Sequence, residues 1–240
     1  MSLGSAKTED GGAFAAMILA LDTATRYAGV ALYDGESLLL ETNWRSEQSH
    51  TQELMPIIVA GLARLGMTAH DLQGLAVSLG PGSFTGLRIG MSVAKGIALV
   101  TGRPILGIPT LDILGYAHAR DDMPTMAIVE AGRGRLCVAT YRGRPQSWHR
   151  LDEYRLVSPE ELVDGVEVPT FFCGEIAPTL RELLQRERGA LAHLASPAAS
   201  LRRAGYLAEL GWQRLQRGER DDLTTLSPIY LHPTGQRVIS

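Results

Sequence analysis

Two places in this chain combine residue types and spacings that permit chemistry. The first runs from Ser78 to Gly90, SLGPGSFTGLRIG. Leu75–Leu79 reads as a buried strand, Gly80-Pro81-Gly82 breaks it, and a small-residue-rich helix is predicted from Ser83 or Phe84. Strand, glycine turn and helix N-terminus gather several backbone N–H groups at one point, an arrangement that cradles phosphate. Gly80, Gly82 and Ser83 would form that cradle. The spacing is neither GxxxxGK[ST] nor a strand-following GxGxxG, so a plain tight turn and an anion site both stay open. The second place is Asp22, which ends the apolar run Met17–Leu21 and is followed by Thr23, Ala24 and Thr25. With Thr23 it offers the oxygen ligands that hard cations and their phosphates take. The alternative is a carboxylate that caps its own turn by accepting backbone N–H groups.

Other reactive residue types are scattered. His50, His70, His118, His149, His193 and His232 show no paired helical spacing. Cys137 and Cys173 each fall inside a predicted strand, form no CxxC pair and read as buried reduced thiols. No serine, cysteine or histidine falls in a nucleophile elbow or another local catalytic motif. Arg133 and Arg135, in Ala131-Gly132-Arg133-Gly134-Arg135, can bind phosphate or a carboxylate, or can simply decorate a solvated hairpin.

The elements that must position these residues follow from periodicity. Met17–Leu21, Ala28–Tyr33 and Ser37–Trp44 read as an antiparallel meander, with Asp34-Gly35 as a hairpin turn. A helix opens at Ser49 or His50, carries Leu54, Ile57, Ile58, Gly61, Leu62 and Leu65 at helical spacing, and stops at Gly66. Leu75–Leu79, helix Phe84–Thr101 and strand Ile105–Ile108 give an alternating order that predicts parallel crossovers. A short helix over Leu111–Ala119 leads to a polar linker at Arg120–Pro124. Beyond it, Thr125–Glu130, Leu136–Tyr141, Trp148–Arg155 and Thr170–Cys173 read as strands. Pro159–Val163, Pro178–Arg188 and Ser200–Gly218 read as helices, and Ser227–Leu231 as an added edge strand. Within Phe84–Thr101, Gly86, Gly90, Ala94 and Ala98 form a small-residue stripe that permits close helix approach, either on the chain's own sheet or on a partner. Arg88, Met91, Ser92 and Lys95 lie off that stripe and are expected to face outward.

Four segments in order carry a resemblance: Ile18-Leu19-Ala20-Leu21-Asp22-Thr23-Ala24-Thr25, His50-Thr51-Gln52, the stretch Gly80–Gly90, and Ile108-Pro109-Thr110-Leu111. Together they resemble the TsaB (YeaZ) family, closely over residues 17–120 and loosely over 121–240. The resemblance implies an α/β, two-lobed ribonuclease-H-like fold of the actin/Hsp70/sugar-kinase superfamily. Residues 1–16, polar and small, read as a disordered leader or an expression remnant; 17–120 would be an N-terminal lobe and 121–240 a smaller C-terminal lobe, with the 200–218 helix packing back on the first. It implies a non-catalytic scaffold subunit that binds TsaD, with TsaE as a third component, in making N6-threonylcarbamoyladenosine at adenosine 37 of tRNA. TsaD carries an H-x-x-x-H metal pair; Thr110 and Leu114 stand in the corresponding places here, and leucine cannot bind a metal. The resemblance therefore implies no cofactor on this chain and places ATP and metal on the TsaD and TsaE partners. The partner-binding residues it implies are His50, Thr51, Met55, Arg88, Met91, Ser92 and Lys95. Asp22, Thr23, Gly80, Gly82 and Ser83 remain the phosphate or nucleotide candidates. In isolation a homodimer through the same helices is expected, with tRNA met only through the complex.

Composition agrees with a folded protein of 240 residues, 45% hydrophobic and of net charge −3, which advertises no nucleic-acid binding in its total charge. Only Lys7 and Lys95 are lysines; the remaining basic residues are arginines, a bias read mainly as genome base composition. No apolar run approaches the roughly 20 residues of a membrane span, and with reduced thiols a cytoplasmic location is expected. Two other readings compete. One is an ATP-dependent kinase-like or glycopeptidase-like hydrolase of the same fold, which needs a metal and tight nucleotide binding. The other is direct RNA binding by Arg181, Arg186, Arg188, Arg202, Arg203, Arg214 and Arg217, which would be steeply salt-dependent.

Overall fold

A computed structural model describes residues 16–46, 50–144, 147–231 and 237–239; the leader, apart from residue 16, lies outside them. The first sheet is built from β1 (Ile18–Asp22), β2 (Tyr27–Tyr33), β3 (Leu38–Arg45), β4 (Gly74–Ser78) and β5 (Ile105–Ile108), in the order β3-β2-β1-β4-β5. β1, β2 and β3 pair antiparallel, and β4 and β5 run parallel to β1. This is the ribonuclease-H-like strand arrangement. β1 is buried along its whole length, and its side chains alternate between two cores, as the two-residue period of a strand requires. Leu19 and Leu21 pack with Leu54, Ile58 and Leu62 of α1 (His50–Arg64) and with Met91, Ala94 and Ala98 of α2 (Phe84–Thr101). Ile18 and Ala20 point the other way, toward Ala204, Leu207 and Ala208 of α6 (Ala204–Gln216). So α1 and α2 cover one face of the sheet and α6, which follows the second sheet in the chain, covers the other.

The second sheet has the order β11-β10-β6-β7-β8: β11 (Ala192–Leu194), β10 (Thr170–Gly174), β6 (Thr125–Glu130), β7 (Leu136–Arg142) and β8 (His149–Arg150), with β9 (Arg155–Val157) also on β7. α4 (Pro159–Asp164) and α5 (Pro178–Arg188) cover one face through Leu162, Val163, Leu180 and Leu184. α3 (Thr110–His118) joins the two sheets. Leu111 and Leu114 pack into the second core while Ile113 and Tyr116 pack into the core under α6. Its Asp112 accepts hydrogen bonds from Tyr141 Oη (2.7 Å) and Tyr154 Oη (2.8 Å).

Three local expectations change. Trp148–Arg155 is two short strands rather than one, because Asp152 turns aside between them and its carboxylate accepts Thr140 N–H (2.7 Å) and Oγ1–H (3.0 Å). The last helix starts at Ala204, not Ser200, since Arg203 is extended at φ −90°, ψ 134°. Ser227–Leu231 joins neither sheet: β12 (Ile229–Leu231) pairs antiparallel with β13 (Arg237–Ile239), although Ile229 N–H donates to Leu79 O at 2.7 Å.

Candidate functional site

The sequence candidates fall in two places, the end of β1 against the glycine turn and the outer surface of α1 and α2. At the first, Asp22 is 1% exposed. One carboxylate oxygen, Oδ2, accepts from Arg202 Nε; the other, Oδ1, accepts from Arg202 Nη2 (3.2 Å) and from Ala24 N–H (3.0 Å). Arg202 is itself buried and gives a further bond to Thr25 Oγ1 at 3.3 Å. Burial works against the guanidinium charge, but Asp22 more than offsets it, so Arg202 is held protonated more firmly than a free arginine. A buried pair of this kind is favourable only when its remaining hydrogen-bonding capacity is met, as here by Ala24 and Thr25.

The glycine turn is likewise closed by the chain itself. Ser83 N–H donates to Ala24 O (2.6 Å), and Ser83 Oγ caps α2 by accepting Gly86 N–H (3.2 Å). Thr23 donates its hydroxyl to Gly86 O at 2.7 Å. A Cβ on Gly82, Gly86 or Gly90 would overlap Ala24 O, Thr23 O and Thr23 Oγ1 respectively. Gly80 takes φ +98°, a region only glycine enters freely, and its carbonyl accepts Thr110 N–H at 2.8 Å. Asp22, Thr23, Gly82 and Ser83 therefore do meet, with Gly80 leading into them. What fills the cradle is the loop Thr23-Ala24: Asp22 is held by Arg202 and Ala24, Thr23 by Gly86, and Ser83 by Ala24 and Gly86.

This also decides the small-residue stripe. Gly86, Gly90, Ala94 and Ala98 are buried, and the two glycines bring α2 against the end of β1. On the same face Leu87 and Met91 are buried, Met91 to 5%. The expectation that Met91 faces outward is thus corrected: it sits four residues after Leu87 and three before Ala94, on the core side of the helix. Arg88 and Ser92 are exposed and Lys95 partly so. They share the outer surface with Phe84 (54% exposed), Leu99 (73%) and Val100 (74%), and α1 adds Met55 and Val59. The side chains of His50 and Thr51 lie outside the described residues. α2 contains no acidic residue, so its outer surface is apolar with positive charge alone. Arg88 stacks on the Phe84 ring (3.8 Å), which in turn packs against Tyr230 at a ring distance of 5.3 Å. Tyr230 joins this surface with no local sequence signal, because only the fold returns the C-terminal segment to the start of α2.

Of the remaining candidates, Arg135 bonds Leu156 O (2.9 Å) and lies 3.6 Å from Glu161. Arg133 sits at φ +52° in the exposed hairpin. The arginines considered for RNA are largely matched by acids of the chain itself. Arg203 pairs with Glu41, Arg188 with Asp164, Arg186 with Glu187, Arg217 with Glu219, and Arg214 with Glu219 and Asp221. Thr110 and Leu114 are buried, and no group of three or more His, Cys, Asp or Glu that could hold a metal ion occurs among the described residues. Both cysteines are buried free thiols; burial pushes Cys137 up to about 12. Among the described residues no helix is long and apolar enough to cross a membrane.

The family described as "TsaD: tRNA N6-adenosine threonylcarbamoyltransferase" matches residues 45–235. The tRNA threonylcarbamoyladenosine biosynthesis protein TsaB of Escherichia coli K12 is 34% identical over 146 residues, 60% of this chain and 63% of that protein. The Bacillus subtilis protein of the same name is 26% identical over 217 residues, 89% of this chain and 93% of its own length. The structure of YeaZ from Pseudomonas aeruginosa superposes with a TM-score of 0.74 at 26% identity, covering 90% of this chain and all of that one.

Proposed function

This chain belongs to the TsaB (YeaZ) family, whose named members are tRNA threonylcarbamoyladenosine biosynthesis proteins, and from that premise we propose that it serves this modification as a non-catalytic subunit docking TsaD through α1 and α2. The observation that carries the reading is the outer surface of α2. Phe84, Leu99 and Val100 are exposed beside Arg88, with no acidic residue in the helix. An apolar patch with an aromatic-braced arginine at its edge suits a protein interface. The closed Asp22–Arg202 pair supports the non-catalytic part, since the one carboxylate at the end of β1 is already held by a cation of the chain. In this reading ATP and metal belong to TsaD and TsaE, TsaE joins as a third component, and tRNA meets this chain only through the complex. The same surface forms a homodimer when TsaD is absent, and the assembly works in the cytoplasm.

The test is co-purification with the TsaD of the same organism, comparing the unaltered chain with Arg88→Glu and Leu99→Glu. A 1:1 complex lost in both variants, with no ATP hydrolysis by this chain alone, is the expected result. Metal-dependent ATP turnover by the isolated chain, with no complex, would replace this reading with the kinase-like or hydrolase alternative.

A further inference from the structure

A cleft of about 700 Å³ lies between the two sheets, and no residue of α1 or α2 lines it. One wall is the end of the first sheet, with Arg26 and Arg45. The other is the second sheet and the start of α5, with Glu130, Glu175 and Arg181; the buried Arg202 is also on the lining. Four guanidinium groups thus face two carboxylates, in a chain whose total charge is −3. Two of the four are matched: Arg202 by Asp22, and Arg26 by Glu130 at 3.7 Å. Arg181 gives one N–H to Ala195 O (3.0 Å) and has no carboxylate within ion-pair distance among the described residues. Arg45 makes neither an ion pair nor a side-chain hydrogen bond among them. The cleft therefore holds two guanidinium charges without a carboxylate, one on each wall, against Glu175 alone.

We propose that this cleft binds a small anion, a phosphate- or carboxylate-bearing metabolite, bridged between Arg45 of β3 and Arg181 of α5. Guanidinium forks match both anions in bidentate geometry, and phosphate and carboxylate are the groups arginine recognises best. Two further features favour this. α5 opens onto the cleft with Ala177 and Pro178, and its N-terminus has no side-chain cap, so its positive dipole end faces the same space. Ser200, also on the lining, has a buried hydroxyl with no hydrogen-bond partner among the described residues. The volume lies within the range of small-molecule sites. Tyr27, Ile176 and Leu201 stand beside the charges on the lining, so the cleft has room for an apolar part of the ligand as well as its acid group.

The experiment is calorimetric titration of the full chain at low salt with inorganic pyrophosphate and, separately, with citrate. The variants are Arg45→Ala and, as a surface control away from the cleft, Arg64→Ala. Saturable binding of either probe, weakened about tenfold by Arg45→Ala and unchanged by Arg64→Ala, is expected for the loss of one charge-assisted contact. Tighter binding of pyrophosphate assigns the site to phosphate, and tighter binding of citrate to carboxylate. No saturable heat with either probe, or binding that Arg45→Ala leaves unchanged, overturns the proposal. Equal weakening by both variants also overturns it, since that marks non-specific attraction. Because Arg45 lies off the α1–α2 surface, Arg45→Ala is expected to keep TsaD docking, and the two readings fail separately.

Discussion

Arg202 closes over the carboxylate of Asp22 across 180 positions of sequence, joining the end of the first strand to the segment that leads into α6. Both side chains are almost wholly removed from water. Removing one partner strands the other as a buried charge, which costs about 3–5 kcal/mol. Arg202→Met is therefore expected to lower the urea midpoint by that equivalent. The double variant Asp22→Asn with Arg202→Met is expected to recover part of the loss. A double variant no more stable than Arg202→Met would show that the cost lies in packing rather than in stranded charge.

The glycines of α2 separate by the face they occupy. Gly90 touches Thr23, and a methyl group there has no room, so Gly90→Ala is expected to destabilise by about 1–3 kcal/mol. A Cβ on Gly96 would meet nothing within 4 Å. Gly96→Ala should therefore stabilise the isolated chain by about 1 kcal/mol through helix propensity alone. Thermal melts of the two variants, read as opposite shifts, check the assignment.

Met91 and Leu99 make a second contrast. Met91 is in the core, so Met91→Glu is expected to lose about 3 kcal/mol or more by burying a charge, whatever happens at any interface. Leu99 is 73% exposed, so Leu99→Glu should leave the melting temperature within about 2 °C, in line with surface changes of at most about 0.5 kcal/mol. Loss of TsaD binding in Leu99→Glu at an unchanged melting temperature is the informative outcome.

Alkaline pH should weaken the fold. Burial raises Cys137 from 9.0 to about 12 and also raises Cys173, Tyr116 and Tyr141. The native state keeps these protons after the unfolded chain has released them. Stability is therefore undiminished below pH 9 and falls as pH rises from about 9 toward 12. Denaturant midpoints measured at pH 8 and pH 10.5 check the sign. In the native protein at pH 8 neither thiol should react with an aromatic disulfide reagent; both should on unfolding.

Much of the fold is legible in the sequence where local signals are strong. β5 and α2 start and stop where the apolar runs meet Gly80-Pro81-Gly82, Gly102 and Pro104. β11 escapes notice because Ala192-His193-Leu194 is three residues with no alternation of its own; its order comes from pairing with β10. Met91 misleads for a different reason. The small residues of α2 mark only part of its buried face, which Leu87 and Met91 share, so the helix buries a wider arc than the stripe. The occupant of Asp22 is illegible altogether, since no local pattern marks one arginine among many as the partner of a distant aspartate.

The late arrival of α6 sets an order on synthesis. Residues 17–108 contain the whole first sheet, yet Ile18, Ala20, Ala31, Ala76 and Leu106 are roofed by Ala204, Leu207, Ala208 and Leu210. As the chain leaves the ribosome, that face stays bare until the second sheet and α6 have followed it out. A fragment ending before Ala204 would expose a strip of Ile, Ala and Leu to any aggregation partner. The second sheet is thus made in the interval during which the first is half-finished, with one apolar face still open to other chains.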